Sequence, residues 1–280
     1  MKNERIEFLD GATKISVVVV DCLDAAVALA RGHLSGPVAS GCLAQALAAV
    51  SLLGAECSLP EETVTLRLDC SGPLEGFLVE CTSAATLRGY TKKKVLDELD
   101  GLGTPSDVKA FGDSGTFELI RSVPGSILAS GAVACAWNER AVAPGLDTLF
   151  AQSLQRRVRT AVYAVASDDG EPVCARALLA ECSPDGDEAA FAAVAEAFAS
   201  GVVDKALSSG ASERTLLKKL GLSQAEKRKS VPVAFACRCS AERASAMIAA
   251  LPPDERANLP ATVDITCHLC GRTWSVRSAE

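Results

Sequence analysis

The sequence predicts an α+β protein in three parts: an antiparallel-sheet N-terminal domain with helices over residues 1–182, a helical linker over 183–235, and a small C-terminal zinc-binding module over 236–280. Three observations carry this. Up to residue 182, short β-branched or alternating segments follow one another without the regular helical crossovers of βαβ units. The composition then changes at Ser183-Pro184-Asp185-Gly186-Asp187, a turn that opens a helix. The last part is too short to bury a stable core unaided, yet it carries four cysteines in two tight pairs.

Ile15-Ser16-Val17-Val18-Val19-Val20 is a short β-branched run without alternation, expected to be a strand covered on both faces. Helices are expected near 22–31 and 36–55. The second is uncharged and long enough to cross a bilayer, but Pro37, Ser40, Gly41, Gln45 and Ser51 interrupt it, so a buried helix is the better reading. Val64 to Asp69 alternates with period two, Cys70-Ser71-Gly72-Pro73-Leu74 turns the chain, and Phe77 to Cys81 returns it. Further strands are expected at 86–90, 116–122, 127–135 and 158–166, and Lys92-Lys93-Lys94 reads as a solvated run.

In the linker, Asp187 is placed to cap a helix whose Phe191, Val194, Ala195 and Phe198 share one face. Gly201, Ser208-Ser209-Gly210 and Lys227-Arg228-Lys229-Ser230 are expected to break the rest of the linker into short helices, one bearing Leu216, Leu217 and Leu220. With 7 acids and 7 bases over 183–236, the segment is neither a polyanionic tail nor a basic arm, and it is able to pack on the first domain with modest stability of its own. The module begins near Val231, with a helix around 241–251, a turn at Leu251-Pro252-Pro253-Asp254, and the segments Val263-Asp264-Ile265-Thr266 and Thr273-Trp274-Ser275-Val276 on either side of the second cysteine pair.

A net charge of −7 and a pI near 5.1 argue against nucleic-acid binding, and the module itself balances 5 Arg against 5 acids over 237–280. Residues 1–14 contain no apolar signal-like run, so a cytoplasmic, reducing compartment is expected, with no membrane association. Eight cysteines (Cys22, Cys42, Cys57, Cys70, Cys81, Cys135, Cys174 and Cys182) lie in apolar segments and read as small hydrophobes. No Walker-type phosphate loop occurs. Gly112-Asp113-Ser114-Gly115 copies a serine-protease tetrapeptide, but only His33 and His268 are available to serve it, and a β-turn is expected instead. Cys267-x-x-Cys270 does not open a helix after a βαβ strand, so thiol oxidoreductase catalysis is not expected and the chain reads as a non-enzyme.

The chemistry concentrates in Cys237-Arg238-Cys239 and, 27 residues later, Cys267-His268-Leu269-Cys270. Two such pairs can complete a tetrahedral Zn²⁺ site, one ion per chain, with His268 a bystander. A purely structural zinc clamp is one reading. The one-residue spacing of the first pair supports another, because near-neighbour thiols can form a strained, labile disulfide when the metal leaves.

The cysteine pattern, the preceding helical linker and the α+β domain together resemble the redox-regulated holdase chaperones, the heat shock proteins of about 33 kDa. The resemblance spans the chain. Cys70-Ser71-Gly72-Pro73-Leu74 resembles the family's Gly-x-Gly-Pro-Leu turn, Arg88-Gly89 its Arg-Gly pair, and Phe150-x-x-Ser153-x-Gln155 its Tyr-Phe-x-x-Ser-Glu-Gln segment. Departures fall at Cys70, Leu149, Leu154 and Arg157. The resemblance implies an ATP-independent holdase that is inactive while Cys237, Cys239, Cys267 and Cys270 hold zinc. It implies activation when Cys237–Cys239 and Cys267–Cys270 become disulfides, unfolded or partly folded clients as partners, and a homodimer in the oxidised state. The alternative is a constitutive zinc-stabilised module that binds protein or nucleic acid without switching.

Overall fold

The computed structural model describes residues 2–101 and 107–278. In chain order the elements are β1 (Glu4–Asp10), β2 (Ile15–Asp21), α1 (Leu23–His33), α2 (Pro37–Leu53), β3 (Thr63–Cys70), β4 (Gly76–Thr82), β5 (Thr86–Thr91), α3 (Asp97–Asp100), α4 (Asp107–Phe111), β6 (Ser114–Val123) and β7 (Ser126–Ala136). They continue as α5 (Val142–Thr148), β8 (Arg157–Ala166), β9 (Pro172–Cys182), α6 (Glu188–Ala199), α7 (Val202–Ser208), α8 (Glu213–Lys219), β10 (Glu226–Pro232) and β11 (Ala234–Phe235). The chain ends with α9 (Ala241–Ala249), α10 (Pro253–Ala257), β12 (Thr262–Thr266) and β13 (Thr273–Arg277).

The expected antiparallel architecture is present as three sheets. Five strands pair in the order β10-β1-β2-β9-β8, six in the order β11-β5-β4-β3-β6-β7, and β12 pairs with β13. Among the described residues every pairing is antiparallel except β11 on β5. Burial explains the patterns in the sequence. Val18 and Val20 of β2 face a core shared with α1, α2 and the six-stranded sheet, while Ile15, Val17 and Val19 face a second core under α6, α7 and α8. A strand covered on both faces has no polar side to alternate with, hence the β-branched run. The apolar helix α2 is likewise enclosed: 94% of the window long enough to span a bilayer is buried inside the protein.

The linker helices behave as their sequence requires. Asp187 caps α6, its side chain accepting from the Ala190 N–H, and Ser212 caps α8 in the same way. Phe191, Val194, Leu207, Leu216, Leu217 and Leu220 cover the outer face of the five-stranded sheet. Several strands depart from the sequence reading. β1, β9 and the short β11 lie outside the expected strands. Lys227-Arg228-Lys229-Ser230, expected to be a break, lies inside β10, which adds to the sheet edge beside β1. Exposed edges tolerate, and are protected by, such a lysine-rich strand.

Candidate metal centre

β11 leads directly into Cys237 and Cys239, whereas Cys267 and Cys270 sit in the turn between β12 and β13. That turn is a closed knuckle: the Gly271 N–H donates to the Cys267 carbonyl at 2.8 Å, and the Cys267 N–H donates to the Arg272 carbonyl at 2.9 Å. Gly271 adopts φ +74°, a left-handed conformation in which a side chain would be strained. The strand pair packs on α9 through Ala244, Ile248 and Val276. With so few enclosed apolar side chains, this part needs another source of cohesion.

Ligand atoms of the four cysteines lie within 4.8 Å of one another. The Cys237 and Cys267 sulfurs are 3.8 Å apart, and those of Cys239 and Cys270 are 3.4 Å apart. A tetrahedron with about 2.3 Å metal–sulfur bonds has edges of about 3.8 Å, so the donor set fits a thiophilic cation such as Zn²⁺. His268 is outside the group, with its ring edge-on to Tyr90 at 6.2 Å. Burial opposes ionisation of Cys237, but the Cys239 backbone N–H and the neighbouring thiols outweigh it and hold that thiol at about 7. Burial pushes Cys267 and Cys270 upward instead. A bound cation would favour the thiolate form of all four cysteines.

The centre is built onto the larger core and the edge of β5. Cys270 belongs to the larger core, with Cys237, Cys239 and Cys267 packed against it. The Gly89 N–H of β5 donates to the Leu269 carbonyl at 2.9 Å, and the buried His33 at the end of α1 donates from Nε2 to the Gly89 carbonyl at 2.9 Å. Gly32 and Gly271 meet backbone to backbone, and a Cβ on Gly32 would lie 2.5 Å from the Cys270 carbonyl oxygen. Arg88, paired with Glu80 at 2.6 Å, lines the same cleft as Cys237. Beside the sulfurs opens a cleft of about 280 Å³ lined by Arg88, Arg243, Met247, His268 and Trp274.

All four cysteines singled out in the sequence therefore converge. Ser114 does not join a catalytic set: its hydroxyl contacts Asp113 and Ser71, while His33 is bonded to Gly89 and His268 faces Tyr90. Of the eight other cysteines, Cys22, Cys42, Cys57, Cys81 and Cys182 are buried. Burial raises the pKa of Cys22, Cys57 and Cys81, as expected for inert core thiols. The docking roles of Gly32, His33 and Arg88 were not read from the sequence; the signal nearest to them was the family-like Arg88-Gly89 pair.

An antiparallel α+β body with four thiols placed to hold a metal ion beside its six-stranded sheet, and helices across its five-stranded sheet, defines a protein with a cysteine-based candidate metal centre. The chain belongs to the Hsp33 family: a family model described as Hsp33 protein matches residues 3–277. It is 27% identical over 256 residues to the 33 kDa chaperonin of Geobacillus kaustophilus, covering 89% of this chain and 86% of that one. It is 25% identical over 291 residues to the 33 kDa chaperonin of Thermus thermophilus, covering 97% and 83%. The crystal structure of the 33 kDa chaperonin of Thermotoga maritima superposes with a TM-score of 0.85 at 16% identity, covering 99% of this chain and 96% of that one, a likeness of fold.

Proposed function

We propose that this chain is a redox-regulated, ATP-independent holdase of the cytoplasm, silent with Zn²⁺ on Cys237, Cys239, Cys267 and Cys270 and active once those thiols are oxidised. Family membership and the 33 kDa chaperonin relatives support a chaperone function, and with it the binding of client proteins. The observation that carries the switch is the four-sulfur cluster placed in the core shared with the first domain. Bound there, the cation would contribute on the order of 10 kcal/mol to folding of the small module. The whole protein has a stability of only about 5–15 kcal/mol, so losing that contribution is enough to open a part of it.

Oxidation by peroxide removes two electrons and two protons from each pair of thiols, forming a disulfide as one peroxide becomes two waters. Disulfide sulfur is a poor ligand, so the donor set is lost. The pairing Cys237–Cys239 with Cys267–Cys270 follows the family resemblance, and all four sulfurs are near enough for it. In this reading residues 236–280 form the switch, residues 183–235 the strap, and residues 1–182 the client-binding body; the oxidised form is a homodimer. The test measures zinc release and suppression of client aggregation together, before and after peroxide treatment. Both rise together if the reading holds; full activity of the reduced, zinc-loaded protein would sink it.

A further inference from the structure

The outer edge of β5 is occupied by segments from the part of the chain that the metal centre organises. Ala85, Leu87 and Gly89 turn main-chain groups away from β4. The Ala85 carbonyl accepts from the Ala234 N–H at 3.3 Å, the Leu87 carbonyl accepts from the Ala236 N–H at 3.2 Å, and the Gly89 N–H donates to the Leu269 carbonyl at 2.9 Å. The occupant Val233-Ala234-Phe235-Ala236 is short, extended and uncharged, with Val233 buried against the larger core. Its last residue adjoins the metal ligand Cys237, and Leu269 lies between Cys267 and Cys270. Release of these segments with the metal centre would free all three main-chain groups, beside apolar surface that Val233 covers.

We infer that this edge is a client-binding site, and that residues 233–236 and the knuckle are its built-in occupant in the closed state. The inference rests on the holdase reading above. The partner it fits is an extended, uncharged segment of an unfolded polypeptide, added to the sheet as a strand. Main-chain hydrogen bonds give such binding strength without sequence preference. Unpaired edge groups next to an apolar surface gain free energy from any such strand. The charges of Arg88 and Glu80 neutralise each other in a mostly buried pair, so β5 itself offers no unpaired charge to select against clients. At the opposite end of the same sheet, β7 is an uncharged edge strand already exposed over Ser126–Ser130 in the closed protein, so binding there would not be gated.

The test places a benzophenone photo-crosslinker at Tyr90 of β5 and, separately, at Leu128 of β7, in the full chain. Each is challenged with a thermally unfolding model enzyme before and after peroxide treatment. Crosslinking from Tyr90 should rise several-fold on oxidation, and that from Leu128 should not change with it. Two variants probe the occupant without touching a cysteine: Ala234→Pro removes one edge hydrogen bond, and Gly32→Ala sets a methyl against the Cys270 carbonyl. Either should raise Tyr90 crosslinking while zinc is still bound. If oxidised protein suppresses aggregation but Tyr90 captures no client, the inference fails and the holdase reading stands. If oxidised protein suppresses no aggregation, both fail. Variants that retain zinc and leave Tyr90 silent would also overturn it.

Discussion

Asp147 is a single carboxylate held against its own solvation. Burial pushes its pKa up to about 6, even though the Thr160 N–H and hydroxyl donate to it at 2.8 and 2.7 Å and the Arg159 cation is near. The folded chain therefore binds this proton more tightly than the unfolded chain does. Stability falls as pH rises from the ordinary carboxylate range through 6, by up to about 3 kcal/mol at neutrality. Asp147→Asn keeps an oxygen for Thr160 and removes the charge. It should stabilise the protein at pH 7.5 by about 1–3 kcal/mol and have little effect at pH 4, which urea unfolding at the two pH values checks.

At the scale of elements, the strap depends on one buried cation. Arg176 of β9 donates from Nη1 to the Leu207 carbonyl at 3.1 Å and from Nη2 to the Ala211 carbonyl at 2.7 Å, where α7 ends and the turn to α8 begins. A guanidinium there gives the Leu207 carbonyl a second donor beside the Gly210 N–H, bonds the Ala211 carbonyl and opposes the negative end of the helix dipole. Asp21 lies 3.7 Å from its Nε on the other side. Arg176→Met keeps the bulk but removes both hydrogen bonds, leaving the Leu207 carbonyl with only the Gly210 N–H and the Asp21 carboxylate with only the Asn3 and Leu23 N–H groups, a cost of about 1–3 kcal/mol. The loss should be local: limited proteolysis should cut near 205–215 in the reduced variant while zinc content stays unchanged. Cleavage spread evenly over the chain would instead mark global destabilisation.

Across the whole molecule, two large cores flank the five-stranded sheet, while the end of the chain has only a small cluster of its own around Ala244, Ile248 and Val276. Chelation of the reduced protein should therefore abolish hydrogen-exchange protection over 262–277 while the amides of α2, enclosed in the largest core, stay protected. Equal loss in both would show a single cooperative unit. Most of the strands, both early helices, the cap at Asp187 and the four clustered thiols were legible in the sequence, because period, capping chemistry and thiol spacing are local properties. β1 was hidden by its charges, although Ile6 and Phe8 alternate there, and β10 by a lysine run that suits an exposed edge equally well. The sequence by itself determined the class of fold, the four thiols of the candidate centre and the strap's apolar stripe. Only the tertiary structure decided that the knuckle closes on Gly32 and Gly89, that β11 seals β5, and that Arg176 holds α7. Those contacts join residues far apart in the chain, and their chemistry lies mostly in main-chain groups, which every residue carries and no sequence pattern marks.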